Sequence, residues 1–262
     1  MMRKRLKRWL YGRCPGLSGA FTYFGVRVFF PRNSLSFRAA CDQGIFEHDN
    51  LRVLTALARP ASWLFDIGAN IGLMAIPLLH HDQSLKVVSF EPSPNSLPSL
   101  QRTWARSRCQ NRWVLVPKAV GQYLGSAPYH LATAENSLFD GLRDTGRVTG
   151  VACVIVEMTT VDAEWLRLGR PQVSVIKCDI EGGESAMLQG ASECIGTCRP
   201  AVLLEWNAKN LAAFGVAPAS LIEFGAKNRF SLHAVPGLSE IHSEMALIAH
   251  MAFTESFLLL PT

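Results

Sequence analysis

Residues Trp63 to Gly72 read Trp-Leu-Phe-Asp-Ile-Gly-Ala-Asn-Ile-Gly, and Phe90-Glu91-Pro92 follows downstream. Each apolar run ends in an acid, and a glycine turn opens an apolar helix between them. The pattern is strand, turn, helix, strand, with ligand-facing residues at the carboxyl ends of the strands. Such a unit holds a nucleoside-bearing cofactor at the mouth of a parallel sheet.

Charge decides which cofactor. A dinucleotide fingerprint, Gly-x-Gly-x-x-Gly, brings backbone close to a pyrophosphate. Here the spacing is Gly68-x-x-x-Gly72, and Asp66 stands two residues before the first glycine. A carboxylate there repels a pyrophosphate and attracts the cationic methionine end of S-adenosylmethionine. The amides of Gly68 to Gly72, Asn70 among them, are placed to receive that cofactor's carboxylate. Glu91 is placed to accept from both ribose hydroxyls, and the Lys118-Ala119-Val120 segment marks the adenine edge. A tight strand-to-helix turn with no ligand is the bland alternative.

Outward from this unit the chain alternates. Trp63–Phe65, Lys86–Phe90, Trp113–Val116, Val173–Ile176, Ala201–Leu204, Phe230–Val235 and Phe257–Leu260 read as strands, and Val154–Met158 as a further strand-like run. Helices are expected over Asp49–Ala58, Ile71–Leu79, Leu97–Ser107, Val161–Leu168, the segment up to Gly190, and Ala219–Lys227. Pro77 is expected to kink the Ile71–Leu79 helix or to sit where its missing N–H is tolerated. Phe21–Phe30 reads as a strand or half a hairpin. Gly121–Gly150, rich in Gly, Ser, Asn and Thr, reads as a hairpin insertion plus a mobile substrate lid. The alternation implies a mostly parallel sheet covered on both faces. Its last strand is expected antiparallel, because no crossover helix is evident before it. Residues 1–60 are assigned to an N-terminal β/α extension and 61–262 to the main domain.

The 262 residues are 48% hydrophobic and 18% charged, enough apolar material for a core. The net charge of +5 is concentrated in a basic head, Met1 to Arg8, followed by Trp9-Leu10-Tyr11. That head is either a solvated terminus or a peripheral contact with an anionic membrane surface. No stretch approaches the roughly 18 apolar residues needed to cross a bilayer. Seven scattered cysteines suggest no disulfide framework, and a cytoplasmic location is expected. The body shows no basic stripe with interleaved aromatics, so no specific nucleic-acid partner is expected. The oligomeric state is not legible.

Four motifs in order resemble the FkbM-type methyltransferase family: Asp66 to Gly72, Phe90 to Pro94, Lys177-Cys178-Asp179-Ile180-Glu181-Gly182-Gly183-Glu184, and Arg199-Pro200 through Glu205. The likeness runs from about Glu47 to Glu205, and Ser256 to Pro261 is similar to the family's last strand. It implies a class I methyltransferase (Rossmann-like) α/β fold with a seven-stranded sheet. It also implies S-adenosylmethionine as donor, and O-methylation of a hydroxyl on a sugar, glycan or secondary metabolite. Cys178 departs from the family's usual aliphatic residue.

Asp179 is the first candidate for the general base or acceptor-orienting group, since it ends a strand beside the cofactor crevice. Lys177 either supports that carboxylate, contacts the acceptor, or forms a structural ion pair. Glu205 ends the next strand and faces the same crevice. Glu181 and Glu184 both have helix-start readings, capping for Glu181 and the first-turn dipole for Glu184. Glu47 is expected near the methionine end of the cofactor, with the adjacent His48 an alternative base. His80 and His81 are expected to complement a helix end, and Asn136-Ser137 to reach cofactor or acceptor. Asp179, Glu205 and Asn207 are oxygen ligands that form the alternative of a Mg²⁺ site; the leading reading needs no metal. Two competing functions stand against the methyltransferase. A non-catalytic binding module would have no need of these acids. A nicotinamide-dependent oxidoreductase is opposed by Asp66, by the missing third glycine and by the absence of a Tyr-x-x-x-Lys pair.

Overall fold

The computed structural model describes residues 19–32, 34–148 and 152–262. The basic head, with its expected membrane contact, lies outside them. Strands β1 (Ala20–Tyr23) and β2 (Val26–Phe29) form an antiparallel hairpin, followed by helices α1 (Leu35–Gln43) and α2 (His48–Leu57). The main alternation comprises β3 (Trp63–Ile67), α3 (Ala75–His81), β4 (Lys86–Phe90), α4 (Leu97–Arg106) and β5 (Trp113–Val116). The insertion contributes β6 (Ala119–Val120), β7 (Gly125–Leu131), a short 3₁₀ turn over Ala134–Phe139, and β8 (Ala152–Thr159). Then come α5 (Val161–Arg167), β9 (Val173–Cys178), α6 (Glu184–Gln189), α7 (Ser192–Cys198) and β10 (Ala201–Glu205). The chain closes with α8 (Ala208–Phe214), α9 (Ser220–Asn228), β11 (Phe230–Ala234), β12 (Ser239–Glu240), α10 (Glu244–Met251) and β13 (Ser256–Pro261).

The main sheet runs β12-β11-β13-β10-β9-β3-β4-β5. Strand β13 is antiparallel to both β10 and β11, while β10-β9-β3-β4-β5 are parallel. This is the class I methyltransferase order, with the two-residue β12 added as an eighth strand at one edge. Helix α10 precedes β13, so the expectation of a connection without a helix is corrected. The hydrophobicity of α10 extends around most of its surface, which hid its period. Among its residues Leu247 is buried while Met245 is exposed.

Central strands carry nearly continuous apolar runs because helices cover both faces. Alternation then sorts the side chains. Phe65 and Ile67 pack with Val88, Phe90 and Ile176 on one face; Leu64 packs with Ile71, Val87 and Val175 on the other. The second core also takes in Val28, Phe37 and Leu54, so the N-terminal hairpin and helices share it. Phe30 stacks on Phe37 at 4.0 Å, and Phe29 N–H donates to Thr103 Oγ1 (2.9 Å) on α4. Helix α3 starts later than its apolar run suggests. Pro77 therefore falls in the first turn, where a backbone N–H has no intrahelical acceptor, and it breaks no hydrogen bond.

The order of the strands reverses at β3, between β4 and β9. A crevice forms outside the carboxyl ends there. Strands β6, β7 and β8 form a separate three-stranded sheet beside it, and the 132–148 segment crosses over it. Among the described residues no helix is long and apolar enough to cross a membrane. Cys109, Cys153, Cys178, Cys194 and Cys198 are free thiols.

Candidate active site

A cavity of about 310 Å³ opens at the crevice. Gly68, Asn70, Glu91 and Ala119 wall one end; Asp179, Glu181 and Glu205 wall the other. Glu47 and Lys118 also line it.

The first end is built from backbone. Gly68 and Ala69 N–H both donate to Phe90 O (3.1 and 3.0 Å), which ties the glycine turn to the neighbouring strand. Gly68 has φ +79°, and a Cβ there would stand 1.9 Å from the Asp179 carbonyl oxygen. Glycine is obligatory at this position. Glu91 is buried; its Oε2 accepts from Asn70 N–H (2.7 Å) and its Oε1 from Ser93 N–H (2.8 Å). Burial pushes its carboxyl up to about 8 despite those donors. Asn70 is itself held by Ser36 Oγ, which donates to its Oδ1 (2.7 Å), and it donates to Ser96 Oγ (3.0 Å) and Ser137 O (3.3 Å). Gly72 lies off the cavity: its φ is +90°, and a Cβ would press on Trp113 and Leu100. Its glycine serves helix-on-sheet packing, which corrects its expected place at the ligand.

Asp66 and Lys177 are register partners on adjacent parallel strands and point to the same face. Asp66 is fully buried, and among the described residues its Oδ1 has no hydrogen-bond donor. It lines a small side cavity with Gly68, Asn70, Lys177 and Asp179. Lys177 Nζ stands 3.8 Å from Asp66 Oδ1 and 3.5 Å from Asp179 Oδ2, and donates to Gly68 O (3.2 Å). Burial alone would lower its pKa. The carboxylates of Asp179, Asp66 and Glu47 overcome this and hold it above the ordinary lysine range. Lys177 is thus a fixed cation, not a proton acceptor.

The second end is built from carboxylates. Asp179, Glu181 and Glu205 each bring an oxygen within 4.8 Å of the others. Two charges at that spacing repel by roughly 3 kcal/mol at an effective dielectric of 20. Arg147 Nη1 meets Glu181 Oε2 at 2.8 Å and Glu205 Oε1 at 3.9 Å, and its guanidinium lies over the Phe139 ring. Asn210 Nδ2 donates to both Glu181 Oε2 (2.9 Å) and Glu205 Oε2 (3.1 Å). Among the described residues two cations meet these three acids, Arg147 and Lys177, and Lys177 is shared with Asp66. Burial and repulsion from Asp179 push Glu181 up to about 7. Burial, then Asp179, Glu181 and Glu184, push Glu205 well above the ordinary range. Asp179 is the most exposed of the three, with 31% of its side chain open.

Several expectations change here. Glu181 is no helix cap: its φ is +58° and its carboxylate turns to Arg147 and Asn210. Glu184 does hold the helix start, accepting from Ile180 N–H (2.9 Å). Asn207 is absent from the acid cluster. Its Oδ1 caps α8, accepting from Lys209 and Asn210 N–H, and its Nδ2 donates to Glu255. Glu181 takes its place as the third oxygen donor. His48 is exposed beside Asp49, outside the cavity, and His80 and His81 end α3. Ser137 lines the cavity; Asn136 donates to Thr133 instead. Arg147, Asn210, Phe139 and Asp140 were not anticipated. Asp140 pins the overlying segment by accepting from Ser93 Oγ (2.5 Å), Asn95 Nδ2 (3.0 Å) and Ala132 N–H (2.7 Å). The Asn95 to Asp140 and Arg147 to Glu181 pairings bridge long sequence separations, and no local pattern announces them.

Comparison with known proteins adds the family. The family model described as the Methyltransferase FkbM domain matches residues 66–233. No curated protein matches. Among solved structures, the chain is similar to a methyltransferase FkbM from Methylobacillus flagellatus. The identity is 14% and the TM-score 0.48, over 80% of this chain and 50% of the other. This chain thus spans about half the length of that protein. It is also similar to a precorrin-6y C5,15-methyltransferase from Geobacter metallireducens (9% identity, TM-score 0.46, 83% and 89% covered). A TehB-like SAM-dependent methyltransferase from Corynebacterium glutamicum matches at 11% identity and TM-score 0.43, with 86% and 91% covered.

Proposed function

The chain belongs to the FkbM methyltransferase family, and from that premise we propose that it methylates a hydroxyl of a sugar, glycan or secondary metabolite, with S-adenosylmethionine as donor. The observation that carries the reading is the two-ended cavity: a backbone-built cradle at one end and a partly open carboxylate at the other.

The cradle fits the cofactor. The orphaned Oδ1 of Asp66 is an acceptor buried without a donor, as a site for a cofactor ammonium requires. The positive φ of Gly68 leaves room where a side chain would intrude. Glu91 has oxygen lone pairs to spare for ribose hydroxyls, and Ala119 and Lys118 flank the adenine edge. Glu47 supports the methionine end. When bound, S-adenosylmethionine supplies a methyl group on a sulfonium, already activated for transfer to oxygen.

The chain's own residues then have three tasks. The walls align acceptor and donor, which in favourable cases contributes about 7–11 kcal/mol. Asp179 accepts the acceptor's hydroxyl proton as the new C–O bond forms and passes it to solvent through its exposed edge; a positioned base contributes roughly 10²–10⁴ in rate. Lys177 fixes Asp179 as a permanent cation 3.5 Å from its Oδ2. Glu205, whose pKa burial and the neighbouring acids push upward, lines the acceptor end of the cavity beside Asp179. No step requires a metal, although the Asp179-Glu181-Glu205 oxygens form a set suited to a hard cation.

Calorimetry with S-adenosylhomocysteine and with NAD(H) tests the cofactor. Heat from NAD(H) alone would sink the reading. Asp179→Asn tests the base: it keeps shape but loses proton-accepting capacity. The expected result is a drop of roughly 10²-fold in turnover with near-normal S-adenosylhomocysteine affinity. A drop in affinity with unchanged turnover of the bound complex would reassign Asp179 to the cofactor.

A further inference from the structure

A second cavity, of about 340 Å³, lies against the first. The two share Glu47, Asp179 and Glu205 as a common wall. Its outer side is formed by Phe253, Thr254 and Glu255, between α10 and β13. Phe253 is 93% exposed. Leaving such a side chain bare forgoes about 1.5–3 kcal/mol of burial, which a ligand seated on the ring would recover in part. The segment is not loose. Phe253 and Thr254 N–H donate to His250 O (2.9 and 3.0 Å), Thr254 Oγ1 donates to Val235 O (2.7 Å), and Trp206 N–H donates to Glu255 O (2.6 Å). The backbone is pinned on both sides while the ring is displayed.

The charges around this cavity are one-sided. Glu47, Asp179, Glu205 and Glu255 wall it, and Lys177 is the sole cation among the described residues that do. The Lys177 ammonium is already enclosed by Asp66, Asp179 and the Gly68 carbonyl. Arg147, on the other side of the shared wall, is bound to Glu181. An incoming anion would therefore find acids and no free cation. An uncharged or aminated ring would find acceptors for its O–H and N–H donors, and an aromatic face for its C–H side.

We propose that this second cavity is the acceptor subsite, with Phe253 as its specificity-determining platform, and that it takes rings bearing hydroxyls or amines while turning away carboxylated or phosphorylated ones. The inference rests on the proposed methyltransferase reading. It adds the location of the acceptor, the residue that grips it and the sign of charge that it tolerates. Asp179, common to both cavities, then stands where acceptor and donor meet.

A glycan array probed with the full chain in saturating S-adenosylhomocysteine tests this by binding, without turnover. The array pairs glucose-, galactose- and glucosamine-terminated glycans with their glucuronate-, galacturonate- and 6-phosphate counterparts. The wild-type protein is expected to favour the uncharged and amino members by at least about tenfold. Phe253→Ala should lose that binding by about tenfold, and Glu255→Lys should admit the acidic members. Both variants should keep the wild-type affinity for S-adenosylhomocysteine and the wild-type circular dichroism. Equal binding of acidic and uncharged members overturns the proposal. So does Phe253→Ala binding as tightly as wild type, or a wild-type protein that binds S-adenosylhomocysteine and no glycan, which would assign the exposed ring to a protein contact. A protein that does not bind S-adenosylhomocysteine at all removes the methyltransferase reading instead, and this inference falls with it.

Discussion

The two ends of the cleft solve opposite problems. At the glycine turn the backbone amides are met by fixed acceptors: Phe90 O takes two, and each oxygen of Glu91 takes one. At the acid cluster Glu181 and Glu205 share one guanidinium and one amide, and Asp179 shares the Lys177 ammonium with Asp66. The backbone of the first end is held in place by these hydrogen bonds. The second carries more acids than cations, and repulsion from Asp179 adds to burial in pushing Glu181 and Glu205 upward. A cofactor bound in one fixed pose suits the fixed backbone. An acceptor that has to arrive, lose a proton and leave suits the unsatisfied end. The contrast also says how each end fails, by backbone geometry at one and by charge at the other.

The most damaging way to break the first end is Gly68→Ala. Left-handed backbone in a non-glycine residue costs about 1–3 kcal/mol, and the clash with Asp179 O adds to it. A loss of more than about 4 kcal/mol in urea-monitored stability is expected, together with loss of S-adenosylhomocysteine binding. Normal stability would show that the turn is not constrained as described. The second end breaks through charge. Lys177→Met leaves Asp66 buried without its cation and should destabilise by about 3 kcal/mol. Adding Asp66→Asn should recover part of this, since the orphaned charge is then gone. Strict additivity of the two would separate Lys177 from Asp66.

A smaller effect distinguishes the ends by pH. Glu91 titrates near 8 when folded and near 4.5 when unfolded. Its stabilising contribution is thus fully present below about pH 4.5 and is lost as the pH rises through 8, because the folded state holds the proton longer. Glu91→Gln removes that term, so its melting temperature should fall less than that of wild type between pH 5 and 8. It should also weaken S-adenosylhomocysteine by about 0.5–1.5 kcal/mol, the range for a hydrogen bond between uncharged groups. Parallel pH profiles would place the proton elsewhere. The smallest effect is Asn207→Ala, which removes a helix cap and should cost about 1 kcal/mol of stability while leaving S-adenosylhomocysteine affinity unchanged. A change in affinity would return Asn207 to the site.

The two ends also differ in how far the sequence discloses them. The cradle is local. Its acid, its glycines and the next strand's acid sit at spacings fixed by one strand-turn-helix-strand unit, so Asp66, Gly68, Asn70 and Glu91 can be read directly. Gly72 shares the pattern but serves packing, because spacing cannot tell a ligand-facing glycine from one under a tryptophan. The acid cluster joins Arg147, the Asp179–Glu181 turn and the β10-to-α8 junction. Its carboxylates end strands and are legible; its partners are not. Arg147 lies in a glycine-rich segment with no period, and Asn210 looks like any polar helical residue. Helices α1, α7, α8 and α10 escaped notice because they are short or apolar around much of their surface. At Asn207 a strand-end position and a helix N-cap coincide, and its Oδ1 serves the cap.

Strand β13 carries a consequence for how the molecule is made. It is the last element in sequence, yet it lies between β10 and β11. Among the described residues, strand β11 is hydrogen-bonded to β13 and to the two-residue β12 alone. During synthesis β10 therefore waits with a bare edge, and β11 cannot join the sheet until Ser256–Pro261 has emerged. Non-local closure of this kind is slow and leaves edges open to other chains. The same late strand follows directly on Glu255, so the wall around Phe253 forms in the same step that completes the sheet. Ribosome-stalled chains ending before Ser256 should be cut by protease between β10 and β11, whereas chains extended past Pro261 and clear of the exit tunnel should resist.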